Sequence, residues 1–201
     1  MAVNLAARRG AKNQRRKAGV AQKRKTELEA GTIAGRVRLA LAYPIQRCLL
    51  TRGLFEVGMG TLIVARGATP YSLTVAGFLL DTFALGVKDS FLVSISGQEL
   101  AAYLDSISDV APAEPVDPGY ARKLLHDLVS WSRTVGFAPH RDYPKLEQIF
   151  GSVTAASDPQ FRFGHEGKPL LIGEMSDADE MLDSLAHEVT VEADELTEFS
   201  E

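Results

Sequence analysis

The run FLLDTFALGVKDSFLV, Phe78 to Val93, decides the fold. Its flanks are apolar and rich in aromatic and β-branched residues, as strands are. Its middle holds Asp81, Lys88 and Asp89. Two readings compete for that polar centre. One is a hairpin turn at GVKD, Gly86 to Asp89, with Gly86 supplying a permissive backbone and Asp89 capping the turn. The other is a pair of catalytic carboxylates, Asp81 and Asp89, converging on one end of a sheet. The turn is preferred. It leaves Asp81 inside a strand, where burying a carboxylate is costly unless it is paired. The expectation is therefore a buried Asp81 paired with a metal or a basic group, Lys88 or Arg66.

Working outward, IQRCLL (Ile45 to Leu50) and GTLIVARG (Gly60 to Gly67) read as two strands before this run. SLTVAGFLLDTFAL (Ser72 to Leu85) reads as a third and SFLVSIS (Ser90 to Ser96) as a fourth. Short strands joined by short turns predict an antiparallel four-stranded meander. A helix is predicted from Lys23 to Leu41. A second follows Ser96, whose spacing to Glu99 is that of a capping box. DVAPAEPVDPG is a Pro-rich connector. The clearest helix starts at Pro118, carries Tyr120, Leu124, Leu125, Leu128 and Trp131 on one stripe, and stops at Gly136. A short helix, PKLEQIFG, comes next. FRFGHEGKPLLIG predicts a second hairpin turning at HEGK, and Ser176 to Val189 an acidic amphipathic helix. The fold class is α+β, a four-stranded meander with packed helices and a second hairpin, flanked by charged tails.

Composition narrows the class of function. The chain has 201 residues, 45% hydrophobic and 24% charged, enough for one core. No apolar stretch reaches the 18 or so residues of a membrane span, and the start lacks the apolar run of a secretory signal. A single cysteine, Cys48 in the apolar run IQRCLL, excludes a disulfide framework and a multi-cysteine zinc site. These features predict a cytoplasmic protein. No P-loop, HExxH or GxSxG occurs, and the glycines of GLFEVGMG fit neither a Rossmann turn nor a Walker loop.

The net charge of −4 hides a strong asymmetry. Arg8, Arg9, Lys12, Arg15, Arg16, Lys17, Lys23, Arg24 and Lys25 precede the first acid, Glu27. Glu174 to Glu201 holds 11 acids and no Lys or Arg. Taking these from the totals of 22 and 26 leaves 13 basic and 15 acidic residues between the ends. The reading is a basic arm over 1–22, an α+β domain over 23–175, and an acidic helix and tail over 176–201. Nine cations without an acid or an aromatic residue suit contact with phosphate backbone and do not suit base reading. Pairing of the arm with the acidic tail is the competing reading.

GTLIVARG, FLLDTFALGVKDSF, GFAPHRDY and FRFGHEGKPLLIG together resemble a family of uncharacterised bacterial proteins that share an LGVKD hairpin and a GFxPHRD segment. The likeness spans about Ile45 to Gly173, with Ala84 standing where the family pattern has a Cys. It implies domain limits and no activity.

Two functions remain. The first is a nucleic-acid-associated adaptor, on RNA or a ribosomal particle, anchored by the arm, with a possible protein partner and no cofactor. The second is a metal-dependent hydrolase, a nuclease for example, in which Asp81, Asp89, His140 and Asp142 hold a divalent cation or serve as general base. His140 also has a plainer reading, as a residue that fixes its loop through backbone hydrogen bonds.

Overall fold

The computed structural model describes residues 31–109 and 112–171. The basic arm, the acidic helix over 176–189 and the tail lie outside the described residues. Within them the protein is α+β. Five antiparallel strands form one sheet: β1 (Ile45–Thr51), β2 (Met59–Thr69), β3 (Ser72–Asp81), β4 (Gly86–Ile95) and β5 (Ala113–Pro115). The spatial order is β4-β3-β2-β1-β5. The helices are α1 (Ile33–Ala40), α2 (Leu54–Val57), α3 (Gly97–Ile107), α4 (Pro118–Thr134) and α5 (Tyr143–Leu146), the last running into a 3-10 turn at Glu147–Phe150.

The meander is the one the sequence predicts, with an added fifth strand. Ala113, Glu114 and Pro115 of the Pro-rich connector pair with Thr51, Leu50 and Leu49. Proline has no N–H to give a ladder, which suits a short edge strand. The second hairpin reduces to one bridge, His165 with Lys168. Its first arm does not pair because its aromatic rings pack elsewhere. Phe161 stacks on Phe55 at 5.7 Å and meets Tyr120 edge-on at 5.2 Å. Phe163 lies 5.5 Å from Trp131. Of the helix predicted over Lys23 to Leu41, the part up to residue 30 lies outside the described residues; Thr32 is extended (φ −110°, ψ 152°) and its hydroxyl accepts from Gly35 N–H, so α1 starts at Ile33.

The turn joining β3 to β4 also differs. It is Thr82 to Leu85, and GVKDS belongs to β4. Asp81 causes this. Phe83 N–H and Ala84 N–H donate to its Oδ1 at 2.8 and 2.9 Å, an Asx turn that reverses the chain four residues early. The turn is apolar because it is buried: Thr82 N–H donates to Gly58 O, and Phe83 O accepts from Leu170 N–H. Lys88 is the extra residue of a bulge, since Leu80 pairs with Val87 but Leu79 with Asp89. Gly86 has φ +74°, and a Cβ there would stand 2.5 Å from the hydroxyl of buried Ser132.

Alternation along the strands sends side chains to two faces. Leu62, Val64, Ala76, Phe78 and Leu80 meet α1, α4, α5 and the 3-10 turn in the main core. Ile63, Ala65, Leu73 and Val75 face the other way, where Leu100 of α3 covers them. The capping box of α3 is present, with Ser96 and Glu99 exchanging hydrogen bonds. On that second face Phe91, Val93 and Tyr103 stay more than a third exposed around an apolar groove of about 300 Å³.

Candidate functional site

PHRDY follows the end of α4 and lands on the outer edge of β4. His140 N–H donates to Val87 O at 2.8 Å, so the loop docks as the plainer reading expects. The same contact joins the LGVKD and GFxPHRD segments. Around it side chains occupy part of the edge. Ser90 N–H donates to Asp89 Oδ1 (2.6 Å), and Arg36 donates to Leu92 O (3.4 Å) and Ser94 Oγ (3.1 Å). Such cover blunts an edge strand.

Of the four candidate residues, Asp89, His140 and Asp142 come together. Asp142 N–H points at His140 Nδ1 (3.4 Å), and Ser90 Oγ lies 2.8 Å from the same nitrogen. A backbone N–H can only donate, so Nδ1 carries the lone pair and also accepts from the Ser90 hydroxyl. The proton then sits on Nε2, which faces Asp89 Oδ1 at 3.5 Å. Ser90, His140 and Asp89 form a chain of polar contacts that the sequence reading missed, because Ser90 looks like an ordinary strand residue. Asp142 is bonded by Lys145 Nζ at 2.8 Å. That bond holds its carboxyl below the usual range, with burial opposing and the charges of Lys145, Arg141 and His140 adding.

The chain has the residue types of an acyl-transfer relay. Its accessibility is that of a structural contact: Ser90 is 6% exposed and faces the helical layer. Asp81 takes no part in it. At 3% exposure it is buried as expected, but its hydrogen bonds come from the two amides of its own turn, and among the described residues no basic side chain bonds it. Among the described residues, no group of three or more His, Cys, Asp and Glu stands where it could hold a metal ion. His126 lies on the polar edge of α4, bonded to Glu147 at 2.9 Å, and His165 packs edge-on against Phe83.

Arg66, an expected partner for Asp81, has a different place. It is 8% exposed, and it donates through Nε to Ile149 O (2.5 Å), through Nη1 to Tyr43 O and through Nη2 to Phe150 O (2.9 Å). The signal was present: a cation inside the apolar run LIVAR raises the same question as the acid inside FLLDTF. Among the described residues, no helix is long and apolar enough to cross a membrane. Comparison of the chain with protein-family models, curated proteins and solved structures gave no match.

Proposed function

We propose that this protein is a nucleic-acid-associated adaptor whose basic N-terminal arm grips phosphate backbone. The observation that carries the reading is the arm itself: nine Lys and Arg in the first 25 residues, with no acid and no aromatic residue. Each cation that neutralises a phosphate releases condensed counterions, which gives affinity without sequence preference. The hydrolase reading has less support, because the turn amides hold the acceptor oxygen of Asp81 and Ser90 is buried.

The test is filter binding of the full-length, arm-deleted and tail-deleted proteins on two unrelated RNA sequences across a salt series. With about five to seven phosphates contacted, log K falls against log salt with a slope of roughly −4 to −6 on a duplex. Deleting residues 1–25 abolishes binding, and deleting 192–201 raises affinity by removing a competing polyanion. Unchanged affinity in the arm-deleted protein ends the proposal.

A further inference from the structure

We infer that the corner between α1, β2, α4 and the 3-10 turn is a binding site for a phosphate-type oxyanion, with Arg66 and Arg122 as its ligands. The two guanidinium groups hang on one short stretch of backbone. Arg66 Nη2 donates to Phe150 O at 2.9 Å, and Arg122 Nη1 donates to the next carbonyl, Gly151 O, at 3.1 Å and to Val153 O at 2.6 Å. Both side chains line a cavity of about 420 Å³ with Leu41, Gln148, Gly151 and Ser152. Liquid water occupies about 30 Å³ per molecule, so an oxyanion fits there with part of its hydration shell.

Donors remain for a ligand. A guanidinium has five N–H groups in a planar fork that matches paired oxygens. The Arg66 bonds use three, all to neutral carbonyls. Arg122 uses Nε on Glu147 (2.8 Å) and Nη1 on the loop, and Nη2 takes no part in these bonds.

The charge is unbalanced. Glu147 is the acid bonded at this corner, and one oxygen, Oε1, already accepts from both Arg122 and His126. Arg66 has no ion pair among the described residues, and burial alone pushes its affinity for a proton down. An arriving anion supplies the missing counter-charge.

Access depends on Gly151. Its φ is +60°, and a Cβ there would stand 3.1 Å from Arg66 Nη2, so the missing side chain leaves the guanidinium approachable. The inference stands on this geometry and not on the basic arm.

The experiment titrates the full-length protein with inorganic phosphate, against sodium chloride at matched ionic strength. It follows the melting temperature and the Nε–H resonances of Arg66 and Arg122. Phosphate is expected to raise the melting temperature by the one-site linkage law and to move both resonances with one dissociation constant. Ser152→Asp places a carboxylate in the cavity at an exposed position. It is expected to keep the fold, with melting in chloride at or above that of the unaltered protein because the carboxylate supplies counter-charge, and to weaken phosphate at least tenfold. Arg122→Lys, which keeps the charge and loses the fork, is expected to weaken it severalfold. Equal responses to phosphate and chloride, or unaltered phosphate affinity in Ser152→Asp, overturn the site. A short single-stranded RNA then identifies the source. If RNA moves the two Arg resonances and Ser152→Asp abolishes that movement, the ligand is a backbone phosphodiester. If phosphate moves them and RNA does not, the ligand is a small phosphate compound.

Discussion

Asp81 and Arg66 are both charged and buried in neighbouring strands, and neither has an ion partner among the described residues. Each is satisfied by backbone of the opposite polarity. Asp81 accepts from the amides of Phe83 and Ala84, two and three residues ahead. Arg66 donates to the carbonyls of Tyr43, Ile149 and Phe150, 23, 83 and 84 residues away. One is a local device that sets a turn, and the other is a clamp between distant segments. A buried charge therefore does not imply a salt bridge. Peptide dipoles satisfy it when geometry supplies enough of them.

The comparison breaks first at Arg66. Arg66→Ala removes the guanidinium donors to Tyr43 O, Ile149 O and Phe150 O, of which Phe150 O keeps the Val153 N–H, and is expected to cost about 3–5 kcal/mol in denaturant unfolding. Arg66→Lys recovers little, because an ammonium is a point donor on a flexible stem and lacks the fork. A loss under about 1 kcal/mol for Arg66→Ala would mean that water replaces the clamp.

Asp81 sharpens it. Asp81→Ala leaves two buried amides unpaired and is expected to cost about 2–3 kcal/mol. Asp81→Asn keeps an acceptor oxygen and is expected to stay within about 1 kcal/mol, because only Oδ1 is used. If Asn costs as much as Ala, the charge itself matters and a cation belongs beside Asp81.

Cys48 gives the smallest effect. It is a buried group left neutral: burial, and then the charge of Asp117, push its thiol up to about 12 from the ordinary 9.0. Between those values the unfolded chain ionises and the folded one does not. Cys48 therefore supports the fold fully below about pH 9, and that contribution is lost as pH rises toward 12. Cys48→Ala is expected to flatten the alkaline limb of a stability–pH curve. An unchanged slope would show the thiol to be solvated.

Much of the fold was legible because its signals are local. The strands are apolar runs rich in aromatic and β-branched residues, the Ser96–Glu99 box spans one helical turn, and α4 carries Pro118 at its start and Gly136 after its end. The β3–β4 turn was placed four residues late because TFAL is apolar, and its burial under residues 163–170 is a tertiary fact. The candidate site divides in the same way. Asp89, His140 and Asp142, candidates by residue type, do meet, but Ser90 joins them where Asp81 was expected, and Asp81 serves its own turn. The hydrogen-bond partner of a side chain depends on which distant backbone the fold delivers.

By itself, then, the sequence determined the strand runs and the short turns between most of them, the ends of the main helices and the charge contrast between the two termini, all properties of neighbours along the chain. Only the tertiary structure decided that Asp81 serves its own turn, that PHRDY docks on the β4 edge, and that Arg66 and Arg122 share a corner. Those partners lie up to 84 residues apart, and no local propensity encodes a contact between them.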